Sequence, residues 1–276
     1  MADISAAHVK ALREATGLPM MDCKQALVEA SGDFENAKAI LRERNKKVQE
    51  TRLGRDTSEG RIGLYADGKV GAMVELMCES APVAKGQDVR QLADDLAKQL
   101  ATGPGAKTDE ELLKQPSPSK PGVTLGEQKD DMFSRIREVF KVGRLIRFDG
   151  PSTGYIHATG DLGALVEFEG SDAATAKDIA MHIVASNPPV TALKKEELDP
   201  ALVAKELEFL TDQARKEGKP ENIIAKMIEG RMKNFYAAHV LVEQPFVKDN
   251  AASVADVLKK AGVTIKRFVN WKLGKG

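Results

Sequence analysis

The stretch RIGLYADGKVGAMVELM, residues 61–77, decides how the chain is read. Two β-prone runs flank Asp67-Gly68, the dipeptide preferred where a tight hairpin turn needs positive φ, so a β-hairpin is predicted here. The second run then returns later in the chain. VGAMVEL at 70–76 is echoed by LGALVEF at 162–168, each near the end of a strand pair and ahead of an amphipathic helix. An antiparallel sheet leaves an apolar face that helices must cover. Repetition of the unit therefore predicts an α+β fold whose core is two related subdomains with antiparallel sheets.

Working toward the C-terminus, Val89, Leu92, Ala93, Leu96 and Leu100 recur at helical spacing, and the Pro- and Gly-rich stretch 103–122 follows as a loop. Thr124 and Glu127 form a capping-box pattern before a helix that carries Met132, Ile136, Val139 and Phe140 on one face. Gly143 separates this helix from the strand Arg144–Phe148. Tyr155-Ile156-His157 reads as a strand near a turn. Val203, Leu207, Leu210 and Ala214 are spaced as a short coiled-coil seam, with Gly218 to Pro220 as the turn of a helical hairpin over about 200–236. Val254, Val257 and Leu258 mark a brief helix stopped by Gly262, and residues 263–273 alternate like a strand that packs Trp271.

Working toward the N-terminus, residues 4–45 read as three short helices. Ser5 caps the first, Ile4 and Val9 staple it, and Gly17 ends it. Pro19 opens a second whose Met20, Cys23 and Leu27 share a face, and Asp33 caps a third carrying Phe34, Ala37 and Leu41. The polar run RERNKKVQETRLGRDTSEG, 42–60, reads as a linker, which makes the three helices a small mobile domain. The resulting boundaries are 1–55 for the helical module, 56–142 for the first core subdomain, and 143–276 for the second with its inserted hairpin.

Composition narrows the function classes. Lys plus Arg and Asp plus Glu each total 41, so no global field favours nucleic acid or an acidic membrane. MADISAAHVK lacks a signal-peptide pattern, and no apolar run approaches the roughly 18 residues of a bilayer span, which points to the cytoplasm. Cys23 and Cys78 form no CxxC pair and read as small buried hydrophobes. There is no GxxxxGK[ST] or GxGxxG loop for phosphates and no HExxH or GxSxG constellation, so neither a cofactor, a metal nor an enzyme is indicated. The histidines at 8, 157, 182 and 239 are scattered, and His182 sits among Ile179, Met181 and Ile183 as a structural residue would. Arg42, Arg44, Lys46, Lys47, Arg52 and Arg55 cluster without aromatic interleaving, the pattern of a solvated helix end rather than an RNA site.

Two segments carry a resemblance. LREATGLPMMDCKQAL, 12–27, followed by SGDFENAKAILRE, resembles the ubiquitin-associated-type (UBA-like) module of the elongation factor Ts family. GKPENIIAKMIEGRMKNFYAAHVLVEQPFVKD, 218–249, resembles a second family segment, and AKDIAMHIVAS and Tyr155-Ile156-His157 follow the same order.

The resemblance implies a nucleotide exchange factor of the GTPase EF-Tu in translation elongation, acting on its bound GDP and Mg²⁺. In the family, Thr-Asp-Phe-Val after the first hairpin enters the GTPase near its magnesium. Ser80, Ala81, Pro82 and Val83 stand at those positions here. Ala81 and Pro82 replace a carboxylate and a ring, so the alternative is an EF-Tu-binding stabiliser with weak exchange activity, or an adaptor working through the helical module. Ser80 also suits an N-cap and Pro82 a first helical turn, which makes SAPVA a sound structural segment. The resemblance further implies partner contacts at Leu12, Arg13, Thr16, Gly17 and Met20 and at His157. The chain ends at Gly276, where family members continue into a tail that packs on the GTPase.

Overall fold

The structure, a computed structural model, describes residues 4–52, 54–217 and 220–274. It is an α+β fold with three small antiparallel sheets. The chain forms two compact units, one of Met1–Gly63, Ala72–Arg147 and Leu273–Gly276, the other of Leu64–Gly71 and Phe148–Lys272.

The first unit opens with α1 (Ala6–Thr16), α2 (Met20–Glu29) and α3 (Phe34–Arg52). Ser5 caps α1 by accepting from the His8 N–H, and Gly17 closes it in the left-handed conformation at φ 68°. Ile4 and Val9 pack on the same core as Leu12, Cys23, Leu27 and Leu41. The polar run after Leu41 is not a linker as far as Arg52, because α3 continues through it. Asn45 donates to the Ser134 hydroxyl at 3.0 Å, and Arg52 to the Arg137 carbonyl at 2.7 Å. Tertiary hydrogen bonds thus hold the second half of α3, which lacks the apolar stripe of the first, and they tie the module to the rest of its unit.

Then come β1 (Glu59–Ala66), β2 (Gly71–Cys78), the single turn α4 (Ala81–Ala84), α5 (Gln87–Thr102), α6 (Asp109–Leu113), α7 (Leu125–Ile136) and β3 (Lys141–Phe148). The sheet order is β1-β2-β3. Asp67 turns the hairpin, its Oδ1 accepting from the Lys69 and Val70 N–H groups at 2.9 and 3.0 Å, with Gly68 at φ 83°. Gly63 lets α5 lie directly on β1, since a Cβ there would sit 2.0 Å from the Ala93 carbonyl oxygen. Within the predicted loop 103–122, Thr108 caps the short helix α6 by accepting from the Glu111 N–H.

The capping box at Thr124 and Glu127 is present, but α7 ends earlier than its apolar pattern suggests. Arg137 takes up φ 66° and returns its N–H to the Phe133 carbonyl. Val139 and Phe140 are buried beyond the helix rather than on its face. Gly143 lies inside β3 instead of before it. A side chain there would meet the Glu75 carboxylate at 2.9 Å, and Glu75 is buried against Arg144, whose Nε donates at 2.9 Å and Nη2 at 2.5 Å.

The second unit has β4 (Ser152–Ile156), β5 (Leu162–Glu169), α8 (Ala173–Ala185), α9 (Pro200–Lys216), α10 (Glu221–His239), β6 (Pro245–Phe246), β7 (Asp249–Ser253), α11 (Val254–Ala261) and β8 (Thr264–Lys272). β5 is the centre of an antiparallel sheet, with Leu165 opposite Gly154 of β4 and Val269 of β8. β6 and β7 form a separate two-stranded ribbon. Val166, Phe168, Ile179, Ile183, Leu258 and Ile265 share the core of the second unit. The echoed heptapeptides therefore hold equivalent places, each contributing the central strand of a three-stranded sheet. The equivalence extends to charge, because Glu167 of β5 pairs with Arg267 of β8 as Glu75 of β2 pairs with Arg144 of β3.

The predicted helical hairpin appears as α9 and α10, the latter running on to His239. Leu210 and Ala214 are buried in its seam, while Leu207 is 44% exposed. The turn expected at Gly218 to Pro220 falls on Gly218 and Lys219, outside the described residues. Gly262 stops α11 at φ 63°, and Trp271 is buried.

Candidate functional site

The segment between β2 and α5 is built from its two ends. Glu79 Oε1 accepts the Val139 N–H at 2.8 Å and its Oε2 pairs with Arg55 at 3.0 Å. Both bonds favour the ionised carboxylate, the backbone one more strongly, and hold Glu79 below the usual range. The next residue is fixed from the opposite side. Glu138 accepts from the Ser80 N–H at 3.1 Å and from its hydroxyl at 2.6 Å. Ser80 occupies the N-cap position of α4 with extended backbone, but its hydroxyl serves Glu138 instead of capping the helix, which revises the N-cap expectation.

Beyond that anchor the chain turns outward. Ala81 and Val83 are half-buried, Pro82 is exposed, and Ala84 is buried again. The Ala84 N–H returns to the Ser80 carbonyl at 3.1 Å, closing one turn. The Cys78 thiol beneath donates to the same carbonyl at 3.5 Å. Burial pushes its pKa up to about 11, so it is a packed group and not a nucleophile.

The helical module joins this segment through the end of α7. Arg135 bonds Asp88, in the first turn of α5, at 2.6 Å, and its side chain lies against Gly17. Arg137 bonds Asn45 at 3.1 Å and approaches Asp22 at 3.6 Å. Residues 135–139 thus contact the module, the start of α5, and both Glu79 and Ser80.

Of the predicted contacts in the module, Arg13, Gly17 and Met20 are exposed and Thr16 is half-buried. Leu12 has no exposed surface. It shapes the module from inside, and the partner-contact expectation for it is corrected accordingly. Gly17 has a cap role of its own. Met20 does not share the buried face of Cys23 and Leu27, being 41% exposed at the first turn of α2. Met21 and Val28 of the same helix are exposed as well, at 62% and 58%.

His157 belongs to the second unit, at the first position after β4. It is exposed, its Nδ1 lies 2.8 Å from the Thr159 hydroxyl, and its N–H donates to the Leu162 carbonyl at 2.9 Å. The turn therefore presents an oriented imidazole to solvent. His182 is different. It is buried, with Nε2 2.8 Å from Gln244 Oε1 and Nδ1 accepting the Val247 N–H at 3.1 Å. Among the described residues no cluster of three or more His, Cys, Asp or Glu side chains is placed to hold a metal ion, and no helix is long and apolar enough to cross a membrane.

The family model described as Elongation factor TS matches residues 79–275. The chain belongs to the elongation factor Ts family. Elongation factor Ts of Methylococcus capsulatus (strain ATCC 33009 / NCIMB 11132 / Bath) is 41% identical over 278 residues, covering 99% of this chain and 93% of that protein. Elongation factor Ts of Nocardioides sp. (strain ATCC BAA-499 / JS614) is 42% identical, with 99% and 100% covered. That of Aquifex aeolicus (strain VF5) is 37% identical, with 98% of each covered. Membership makes the chain a translation elongation factor and not an enzyme. The elongation factor Ts match begins at Glu79, the residue anchored by Val139, and so takes in the whole 80–83 segment and His157.

Proposed function

We propose that the chain binds EF-Tu in the cytoplasm, promotes release of its GDP, and so allows GTP to enter. The observation that carries this reading is the anchored, outward-turned segment 80–83 in a chain of this family. Exchange needs no bond chemistry. A factor that binds the nucleotide-free GTPase better than its GDP form weakens GDP by the same factor, through linkage. A ten-thousand-fold loosening takes about 5.5 kcal/mol of differential binding, which many contacts must share.

In this reading Ser80 to Val83 disturb the Mg²⁺ and phosphate site of EF-Tu, and Arg13, Thr16, Gly17, Met20 and His157 add grip. Residues 1–55 serve as a UBA-like module, 56–142 and 143–276 as the two related core subdomains, and the hairpin as an arm of the second. The charge balance supports a protein partner rather than nucleic acid or membrane. The second reading, an EF-Tu-binding stabiliser with weak exchange activity, rests on Ala81 and Pro82. Alanine offers no charge to compete around a cation, and Pro82 supplies little bulk. Release of a fluorescent GDP analogue from EF-Tu, with the chain at substoichiometric concentration, separates the two. Acceleration supports exchange. Tight binding without acceleration leaves the stabiliser.

A further inference from the structure

Arg137 stands where a helix end ordinarily takes glycine. It follows α7 at φ 66° and ψ 17°, the left-handed conformation, which crowds the Cβ of any residue but glycine. Among the described residues, Ser31 is the one other non-glycine at positive φ. A side chain kept at a strained position calls for contacts that glycine would forfeit. Here they go to the helical module. The guanidinium donates from Nη1 to Asn45 Oδ1 at 3.1 Å and brings Nη2 within 3.6 Å of Asp22 Oδ2. The module holds the backbone too, since the Arg137 carbonyl accepts from Arg52 Nη1 at 2.7 Å.

The next two residues face the other way. Glu138 accepts the N–H and the hydroxyl of Ser80, and Val139 donates its N–H to Glu79. The short stretch 137–139 is therefore gripped by α2 and α3 on one side and grips the root of the 80–83 segment on the other. The circuit closes just past α3, where Arg55 donates its N–H to the Arg52 carbonyl at 2.9 Å and pairs with Glu79 at 3.0 Å. Peptide planes are rigid, so a displacement of Arg52 or Asn45 is carried through Arg137 to Glu138.

We propose that Arg137 is a positioning residue that couples the helical module to the 80–83 segment, so that a partner gripping the module sets how Ser80 to Val83 meet it. The proposal rests on the reading that this segment acts on EF-Tu, and it gives the module a second role beyond grip. The two roles leave different kinetic marks. Loss of grip alone raises the half-saturating concentration and spares the maximal rate, whereas loss of coupling lowers the maximal rate.

The test uses the full chain and two variants, each removing one handle. Arg137→Gly keeps the left-handed turn and loses the ties to Asn45 and Asp22, and Arg52→Ala loses the bond to the Arg137 carbonyl. In ¹⁵N NMR of the free chain, both are expected to displace the Ser80 and Ala81 amide resonances. In a Glu138→Ala background neither is expected to displace them further. The maximal rate at which the chain releases a fluorescent GDP analogue from EF-Tu is expected to fall about fivefold, with the half-saturating concentration unchanged. The proposal is overturned if Arg137→Gly leaves the resonances in place or the maximal rate unchanged. It is also overturned if the resonances move as far without Glu138, which would route the effect through Arg55 and Glu79. Should the wild-type chain fail to accelerate release at all, the exchange reading falls, and the resonances alone decide whether Arg137 couples module and segment.

Discussion

Glu138 holds Ser80 by two atoms, accepting its backbone N–H at 3.1 Å and its hydroxyl at 2.6 Å across 58 positions of sequence. The neighbouring pair is joined in the reverse sense, since Val139 donates its N–H to Glu79. Two consecutive residues on each side are thereby locked, and the chain that leaves them carries an exposed Pro82. If the segment pushes on EF-Tu as proposed, it needs such a fixed root, because a loose one would yield before it transmitted force.

Glu138→Ala removes both bonds at once. Hydrogen bonds to a charged group contribute roughly 1.5–3 kcal/mol, discounted here because the pair is only part-buried, so a loss of about 2 kcal/mol is expected. Ser80→Ala keeps the backbone bond and should cost about 1 kcal/mol. Urea unfolding curves measure both. If the clamp matters for function, Glu138→Ala also slows GDP release more than a core substitution of equal destabilisation. Equal slowing by both would make the clamp structural only.

Ala81→Asp combined with Pro82→Phe introduces the carboxylate and ring that the resemblance implies for the family segment. Pro82 is exposed and Ala81 half-buried, so the chain's own melting should shift by less than about 1 kcal/mol. The expected result is a several-fold faster release of fluorescent GDP analogue from EF-Tu. An unchanged rate would mean that residues 81 and 82 contribute nothing to nucleotide release.

Local signals were legible in the sequence. Asp67-Gly68, Ser5, Thr124 and Gly262 act through neighbours within a few positions, and each does what its pattern announces. The echo at 70–76 and 162–168 reveals the two central strands for the same reason, since alternation and burial are local properties of a strand. What the sequence hid depends on distant partners. The polar half of α3 reads as linker because Asn45 is held by Ser134 of α7 and Arg52 by Arg137 just after it, rather than by an apolar stripe. Gly143 reads as a breaker because its neighbour Glu75 lies far away in sequence. At the candidate site, the positions 80–83 came from family resemblance, while the Glu138 clamp had no local signature at all.

His182 gives a pH dependence with a definite sign. Its Nδ1 accepts a backbone N–H from Val247, so the neutral ring with its proton on Nε2, donating to Gln244, is the form that satisfies both bonds. Burial lowers its pKa from the ordinary 6.5, the Gln244 bond opposing more weakly. The unfolded chain therefore takes up the proton first as pH falls. The stabilisation is complete above about 6.5 and is lost as pH drops through the lowered folded value. Urea midpoints should fall between pH 7 and pH 5, and His182→Gln should lose that part of the slope. A variant with the wild-type slope would place the titration elsewhere.

The two matched ion pairs separate burial from geometry. Glu75 and Glu167 stand at the same place in the echoed strands, each beside an arginine on the next strand. Their surroundings differ, for the Glu75 side chain is 5% exposed and Glu167 18%, while Arg144 is 33% and Arg267 56% exposed. Arg144→Met strands a buried carboxylate that also accepts the Arg144 backbone N–H at 3.2 Å, and loss of a buried partner costs about 3–5 kcal/mol. Arg267→Met leaves a carboxylate that water reaches, and removes an arginine lying 4.1 Å from the Phe148 ring centre. Its cost should be about 1 kcal/mol. Urea unfolding of the two variants is the measurement, with Arg144→Met lowering stability several-fold more. Equal losses would show that strand register, and not desolvation, sets the worth of the repeated pair.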